Sequence, residues 1–407
     1  MYNLVDFISI FLLILITLLI ARWQPAISKI LLVALVLRLL FLFINNHLFY
    51  MPDGDMDAKN FEQLAWNHSQ GGFYNNFNNY TGPGAYFISF ILAIPYSLFG
   101  RSILLAQSLS IFFSIGSVFL GWSLAKKLWD NSTALKVGWS IALFPSLVSY
   151  SVLTMREVYI SFFLLLAMWG IVNWIRFNNY KSLCIVFVGF IAASFFHGAS
   201  IVGLFVFLFI ITLYNFKETF RLLRIKRINL KILIIIFFSS LILGLYLTNK
   251  ISLPYLQTFS KGINPSFLKE TINLKVKGTA SYPEWLKVDS TYELIYKIPI
   301  RSVYFIFSPF LWELKKLNHL VGLLDSLLYM ALVYLIFRNR KVIWKDPALR
   351  VILIILLVYI VIFGVGVGNF GSGIRHRSKF AIEFILLAAP LIPRFIFLNK
   401  NKIKKIT

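Results

Sequence analysis

Residues 3–21 read NLVDFISIFLLILITLLIA, and the one charged residue in that run, Asp6, stands near its edge. A helix needs about 20 apolar residues to cross the hydrocarbon layer of a membrane. Inside that layer only helices and closed barrels satisfy their backbone groups. The run is too uniformly apolar for a barrel strand, which alternates. No basic stretch precedes it and no small-residue cleavage site follows, so it is expected to stay as a helix rather than leave as a signal peptide. Twelve further segments repeat the pattern, at 29–45, 84–99, 102–124, 134–153, 157–175, 182–196, 199–215, 231–248, 294–312, 321–337, 350–368 and 381–398. Segment 84–99 is interrupted by Pro95, and 294–312 by Pro299, Arg301 and Pro309, so either is a candidate re-entrant or interfacial stretch.

The expected fold is an all-α polytopic membrane protein with about 11–13 transmembrane or re-entrant helices. Composition agrees: 59% of residues are hydrophobic and 14% charged, against about 25% charged in soluble domains. The formal net charge is +24, and the basic residues cluster between apolar runs. That pattern fits cytoplasmic anchoring and attraction to membrane lipids. No basic module is long enough to fold alone, which excludes nucleic acid as a partner. Cys184 is the single cysteine, so neither an intrachain disulfide nor a zinc cluster can form.

A single membrane domain over 1–407 is expected, with a polar external loop at 46–83 and an external loop or cap at 249–293. The loop from Lys217 to Lys231 holds Arg221, Arg224, Lys226 and Arg227 and is expected inside. Stepping by crossings puts Lys126, Lys127, Lys136, Arg176 and Lys181 inside too, and Arg156–Glu157 and His197 outside. Arg338, Arg340, Lys341 and Lys345 also belong inside, which requires that 294–312 is not one full crossing. One conflict stays open. Arg22 and Lys29 place the acidic 46–83 loop outside, but two full crossings over 84–124 would put it inside.

Three constellations stand out in so acid-poor a chain. In MPDGDMDAKNFEQLA, 51–65, Asp53, Asp55 and Asp57 occupy alternate positions. Such carboxylates can ligate a divalent cation, or one can serve as a general base with its pKa raised by like charge. A solvated helix N-terminus is the plain alternative. In FPSLVSYSVLTMREVYI, 144–160, Arg156 and Glu157 sit at a junction of two helices. Charges inside membrane proteins face cavities or partners, and Arg can hold a phosphate with paired donors. In NFGSGIRHRSK, 369–379, Arg375, His376, Arg377 and Lys379 form a basic cluster on the expected outer face, against the usual bias. That cluster calls for an anionic ligand such as a lipid phosphate. His197 could donate to a phosphate, and Glu313 with Trp312 could line a sugar pocket.

The order of these stretches resembles a known family. DGDMDAKNFEQLA at 53–65 is followed by YTGPGAYFISFILAIPYSLFG at 80–100, RSILLAQSLSIF at 101–112 and LAKKLWDNSTALKVGWSIALFPSLVSYSVLTMRE at 124–157. Together they resemble the bacterial relatives of protein O-mannosyltransferases in the GT-C glycosyltransferase superfamily. The likeness covers 29–175, is loose over 200–360 apart from RSVYFIFSPFLW, and ends in GNFGSGIRHRSKFAIEFILLAAP, which looks like the tail of surface-polysaccharide polymerases. The resemblance implies a multi-pass protein of the bacterial inner (cytoplasmic) membrane. It would transfer a sugar, with inversion, from a polyprenyl phosphate- or pyrophosphate-linked donor to a cell-envelope glycan or lipid-linked acceptor at the outer face. Asp57 best matches the family's carboxylate base, with Asp55 the alternative. Asp53 and Asp55 would hold a divalent cation such as Mg or Mn. Arg375, Arg377, His376, Lys379 and Arg156 would bind the donor phosphate, and Glu157, His197, Glu313 and Trp312 would meet sugar or acceptor. An O-antigen or capsule repeat-unit polymerase is one alternative. A lipid or polysaccharide transporter without bond chemistry is another, although the inverted repeats common in transporters are not evident in the sequence.

Overall fold

The structure is a computed structural model and describes residues 3–78, 82, 84, 86–224, 272–273, 280–315 and 319–393. Among the described residues the secondary structure is helical, with no strand. The helices are α1 Leu4–Trp23, α2 Ser28–His47, α3 Asp57–Ser69, α4 Gly72–Asn78, α5 Phe87–Phe99, α6 Ile103–Leu128, α7 Asn131–Leu143 and α8 Pro145–Ser151. They continue as α9 Glu157–Phe177, α10 Lys181–Phe196, α11 Val202–Arg224, α12 Leu294–Phe307, α13 His319–Lys345, α14 Pro347–Gly366, α15 Phe370–Ser378 and α16 Ala381–Ala388. Six of them, α1, α2, α6, α9, α13 and α14, are long and apolar enough to cross a membrane, so the chain is an all-α multi-pass membrane protein. Four shorter apolar helices lie over Phe87–Phe99, Lys181–Phe196, Gly198–Leu213 and Ala381–Leu391.

The helix ends explain how the few polar residues are tolerated. Asp6 accepts from Asn3 N (2.8 Å) while the Asn3 side chain accepts from Asp6 N (2.9 Å), a reciprocal cap on the first turn of α1. Ser102 caps α6, Asp130 caps α7, Asp346 caps α14 and Asn369 caps α15, each accepting from backbone N–H groups otherwise left without partners. Between helices in lipid, packing rather than the hydrophobic effect drives association, and small residues let backbones meet. A Cβ at Gly189 of α10 would lie 2.7 Å from both Ala167 N and Phe163 O of α9. One at Gly364 of α14 would lie 2.7 Å from Ser302 Cα of α12. Arg38, buried within α2, donates to Ser114 Oγ (2.8 Å), Ala34 O (3.1 Å) and Ala142 O (3.1 Å), tying α2 to α6 and α7.

Contacts between helix ends decide the topology. Asn3 Nδ2 donates to Arg101 O (3.1 Å), and Asn46 and Gln107 exchange hydrogen bonds of 2.9 and 3.0 Å. The starts of α1 and α6 and the end of α2 therefore share one face of the molecule. Arg101 also meets Glu62 of α3 at 2.7 Å, and Gly84 N donates to Phe195 O (3.0 Å) at the end of α10. Thus α5 begins and ends at that face without crossing, which removes the conflict over 84–124. Likewise α12 has 14 residues, fewer than the roughly 20 a full crossing takes, and ends beside the first half of α13, where Ser326 Oγ donates to Ser308 O (2.8 Å). The opposite face gathers basic residues. Lys127 donates to Asn173 Oδ1 (2.8 Å), Arg176 pairs with Asp346, and Lys136 donates to Pro390 O (3.0 Å). By the excess of Lys and Arg this is the face expected toward the cytoplasm.

Three expectations need correction. Segment 134–153 is two helices, because Pro145 disfavours helical geometry at Phe144, whose ψ is 121°. The 46–83 stretch is not a simple loop but carries the amphipathic α3 and α4. Its polar residues follow a helical period, and α3 packs on α5. Segment 321–337 belongs to a longer helix reaching Lys345. Residues 231–248, most of 249–293 and the basic tail with Lys400 lie outside the described residues.

Candidate functional site

The site forms where the start of α3, the α8–α9 junction, the end of α10 and the last turn of α15 meet. The turn after α2 is fixed from within: Met51 N donates to Asn45 Oδ1 (3.0 Å) and Gly54 N to Met51 O (2.8 Å). Its tightness puts Asp53 at φ 68°, a left-handed conformation that Asp tolerates better than most residues. Thr154 Oγ1 donates to Ala58 O (2.6 Å), tethering this turn to the segment that ends in Arg156–Glu157. Asn369 caps α15 and so aims its last turn, with Arg375 and His376, at the same place.

Glu157 is the centre of the charge cluster. Its side chain is 1% exposed, and Oε1 lies 3.6 Å from Arg375 Nε, 3.6 Å from Lys379 Nζ and 3.8 Å from Arg156 Nε. Arg375 also pairs with Asp57, whose side chain is 43% exposed. The site thus couples a buried acid held by three cations to an accessible acid sharing one of them. Asp53 accepts from Tyr150 Oη (3.2 Å). Burial pushes the Asp53 carboxyl up from its ordinary pKa, the charges of Glu157 and Asp57 add to the shift, and Arg375 and Tyr150 oppose it. Burial works against the charge of Arg375, but Glu157, Asp53 and Asp57 outweigh it and hold the guanidinium protonated. Burial, then the charges of Lys379, His197, Arg375 and Arg156, push His376 well below its usual range. Lys379 is pushed down by burial and by Arg156 and Arg375, against the pull of Glu157. Its Nζ lies 2.7 Å from His376 Nδ1. The His197 ring stands 5.5 Å from that of His376 and 5.1 Å from Phe363, and Arg156 donates to Phe196 O (3.3 Å).

Other expected residues lie elsewhere. Arg377, expected beside Arg375 on a phosphate, points into the protein. Its side chain is 1% exposed, and it donates to Asp325 Oδ2 (2.9 Å), Ile306 O (2.8 Å), Ser308 O (2.6 Å) and Ser326 Oγ (3.0 Å). With its donors consumed it is a structural clamp between α12, α13 and α15. Asp55 is exposed and pairs with Lys59, one turn along α3. Among the described residues no three His, Cys, Asp or Glu side chains gather as a metal-ligand set. Glu313 accepts from Phe310 N (2.9 Å), and the exposed Trp312 ring stacks on Phe310 at 4.8 Å. Neither contact joins the Glu157 cluster.

Tyr150 was not singled out from sequence, although it stands within the quoted 144–160 stretch. Asp325, the counter-charge of Arg377, was missed as well. A lone carboxylate within an apolar run is itself a signal, since it demands a partner. Chemically, the cluster offers an accessible carboxylate beside a guanidinium that an oxyanion could claim, backed by further cations. Neither known protein families, nor curated proteins, nor solved structures give a match to this chain.

Proposed function

We propose that the protein is a GT-C-type inverting glycosyltransferase that moves a sugar from a polyprenyl phosphate- or pyrophosphate-linked donor to a cell-envelope acceptor at the non-cytoplasmic face. The observation that carries this is the pairing of Asp57 with Arg375 across 318 positions of sequence. The carboxylate sits in the first large extracytoplasmic segment and the guanidinium in the last, and each suits one half of glycosyl transfer.

The donor phosphate takes Arg375, with Arg156 behind it, because paired guanidinium donors match phosphate oxygens. That contact draws Arg375 away from Asp57 and frees its carboxylate to accept a hydrogen bond from the acceptor hydroxyl. Asp57 accepts the proton of the acceptor hydroxyl while the hydroxyl oxygen attacks the anomeric carbon. The bond from that carbon to the phosphate oxygen breaks, and its electron pair leaves on the phosphate. Negative charge develops where Arg375 and Arg156 already stand, the kind of preorganised stabilisation that lowers a barrier most. The leaving group departs as an anion, so general-acid help is not needed. Glu157 keeps the three cations together when the site is empty.

The test is Asp57→Asn in proteoliposomes given a radiolabelled polyprenyl-phosphate sugar and membrane glycan acceptors. Transfer should collapse while the protein inserts and melts as the wild type does. Product at the wild-type rate would sink the assignment of Asp57 as base.

A further inference from the structure

A cavity of about 560 Å³ opens between the first turns of α1 and α6, the end of α2 and the start of α3. Its walls include Asp6, Asn45, Asn46, Glu62, Arg101 and Gln107. Its charges, Asp6 and Glu62 against Lys59 and Arg101, cancel. Arg101 binds Glu62 through Nε (3.0 Å) and Nη2 (2.7 Å), Lys59 pairs with Asp55, and Asp6 caps α1. The wall therefore carries no net charge.

What remains available is amide and hydroxyl chemistry. Asn46 and Gln107 spend one hydrogen bond each way on one another, and Gln107 Nε2 also donates to Val152 O (3.0 Å). That leaves a second amide hydrogen on Asn46 and a second lone pair on Gln107. Asn45 likewise keeps one amide hydrogen after donating to Asn46 Oδ1 (3.0 Å). Adjacent neutral donors and acceptors suit adjacent hydroxyls. Tyr50, on the same wall, carries the Lys59 ammonium over its ring at 4.2 Å.

An apolar groove of about 440 Å³ runs beside this cavity on α1, α5 and α6, lined by residues such as Val5, Leu12, Pro95, Phe99 and Leu109. It begins one residue from the cavity along both long helices: Val5 beside Asp6, and Leu105 beside Leu104. Both α1 and α6 are membrane-crossing by length and composition, so a hydrocarbon chain is the occupant this groove meets.

We infer that the cavity and groove together bind one amphiphile, a lipid carrying an uncharged, hydroxyl-rich saccharide head group. Head-group binding stands on the cavity itself; its role as the acceptor subsite rests on the glycosyl-transfer proposal. Gly54, Ala58 and Thr154 line the cavity, and the neighbours of these residues, Asp53, Asp57 and Arg156–Glu157, form the ion cluster. The same two segments therefore separate acceptor hydroxyls from donor phosphate.

The test uses the full chain in phospholipid nanodiscs and a neutral probe, n-dodecyl β-D-maltoside bearing a diazirine in its alkyl chain. Photolabelling should concentrate on peptides covering 3–16 and 101–112, and should be competed by unlabelled dodecyl maltoside but not by dodecanol or dodecyl phosphate. Gln107→Leu should lower labelling about tenfold, the value of one or two lost hydrogen bonds. Asn46→Ala, a smaller change, should lower it too, with melting unchanged. Labelling spread evenly over the lipid-facing surface, equal competition by dodecanol or dodecyl phosphate, or no loss in either variant would overturn the proposal. Transfer is read separately. Full transfer by Asp57→Asn with specific labelling intact would remove the glycosyltransferase assignment and leave the amphiphile site standing.

Discussion

Replacing Glu157 by Gln keeps the shape of the side chain and removes the charge on which Arg156, Arg375 and Lys379 converge. At separations of 3.6–3.8 Å, each cation interacts with it by about 4–5 kcal/mol at an effective dielectric near 20. Desolvation offsets much of that sum, so the pairwise values do not add. The loss on deleting one partner of a buried pair is about 3–5 kcal/mol, because the remaining charge is left uncompensated. Arg375 keeps Asp57 as a partner, while Arg156 and Lys379 lose their shared acid, so Glu157→Gln should fall within that range. The measurement is unfolding of purified protein in neutral detergent, followed by tryptophan fluorescence with and without inorganic phosphate. The variant should unfold well before the wild type. Phosphate should then recover part of its stability while changing the wild type little, since an anion meeting Arg375 from the accessible Asp57 side can compensate positive charge that Glu157 no longer balances. A variant that melts with the wild type, or one that phosphate stabilises no more than the wild type, would refute Glu157 as the keystone of the cluster. Salt screening does not blur the comparison, because buried pairs are screened far less than exposed ones.

Arg375→Gln should weaken donor binding about 10- to 150-fold, the worth of a charge-assisted hydrogen bond, read as a rise in KM for the polyprenyl-phosphate donor; an unchanged KM would exclude Arg375 from the phosphate. Arg377→Met should instead cost about 3–5 kcal/mol of stability by stranding the buried Asp325, and Arg377→Met with Asp325→Leu should recover most of it. Asp53 has a raised pKa in the fold, so the folded state binds more protons than the unfolded chain above the ordinary carboxyl range. Its contribution to stability is thus present at low pH and is lost as pH rises toward the folded pKa. Asp53→Asn should flatten that decline and stabilise the protein at neutral pH, as seen in melting curves across pH. Gly189→Val should destabilise by at least about 1–3 kcal/mol through overpacking, because its Cβ would meet the α9 backbone; normal melting would refute the close α9–α10 contact.

The long spans were legible because nothing interrupts them: α1, α6 and α14 each follow an apolar run the sequence displays, within a few residues. Pro145 and Phe144 were equally visible, and the break they impose was overlooked because the flanking residues remained apolar. The α3 helix was hidden for the opposite reason. Its polar face suggests a loop, while Phe61 and Ala65 recur at helical spacing and bury that side. The folding of α5 back to its own face lay beyond sequence, since it depends on Arg101 finding Glu62. At the site, Asp57, Arg156, Glu157, Arg375, His376 and Lys379 were all named from local pattern, but their convergence needs contacts over more than two hundred positions. The separation of Arg377 from Arg375 could have been read. On a helix, residues two apart point to nearly opposite sides, so one of the pair had to face inward and find a carboxylate.

The pairing of chain ends carries a consequence for how the molecule is made. Asp57 meets Arg375, Trp129 Nε1 donates to Leu386 O (3.0 Å), and Lys136 donates to Pro390 O. Membrane insertion proceeds from the N-terminus as the chain is synthesised, so the early helices enter the bilayer with Glu157 and Arg38 already in place but Arg375 and Lys379 still unmade. The acid side of the cluster must wait, with Arg156 beside Glu157 but without Arg375 and Lys379, for the last helices to arrive. A ribosome stalled near residue 360 would leave an inserted bundle that holds Asp57, Arg156 and Glu157 but lacks the Arg375–Lys379 half of the cluster.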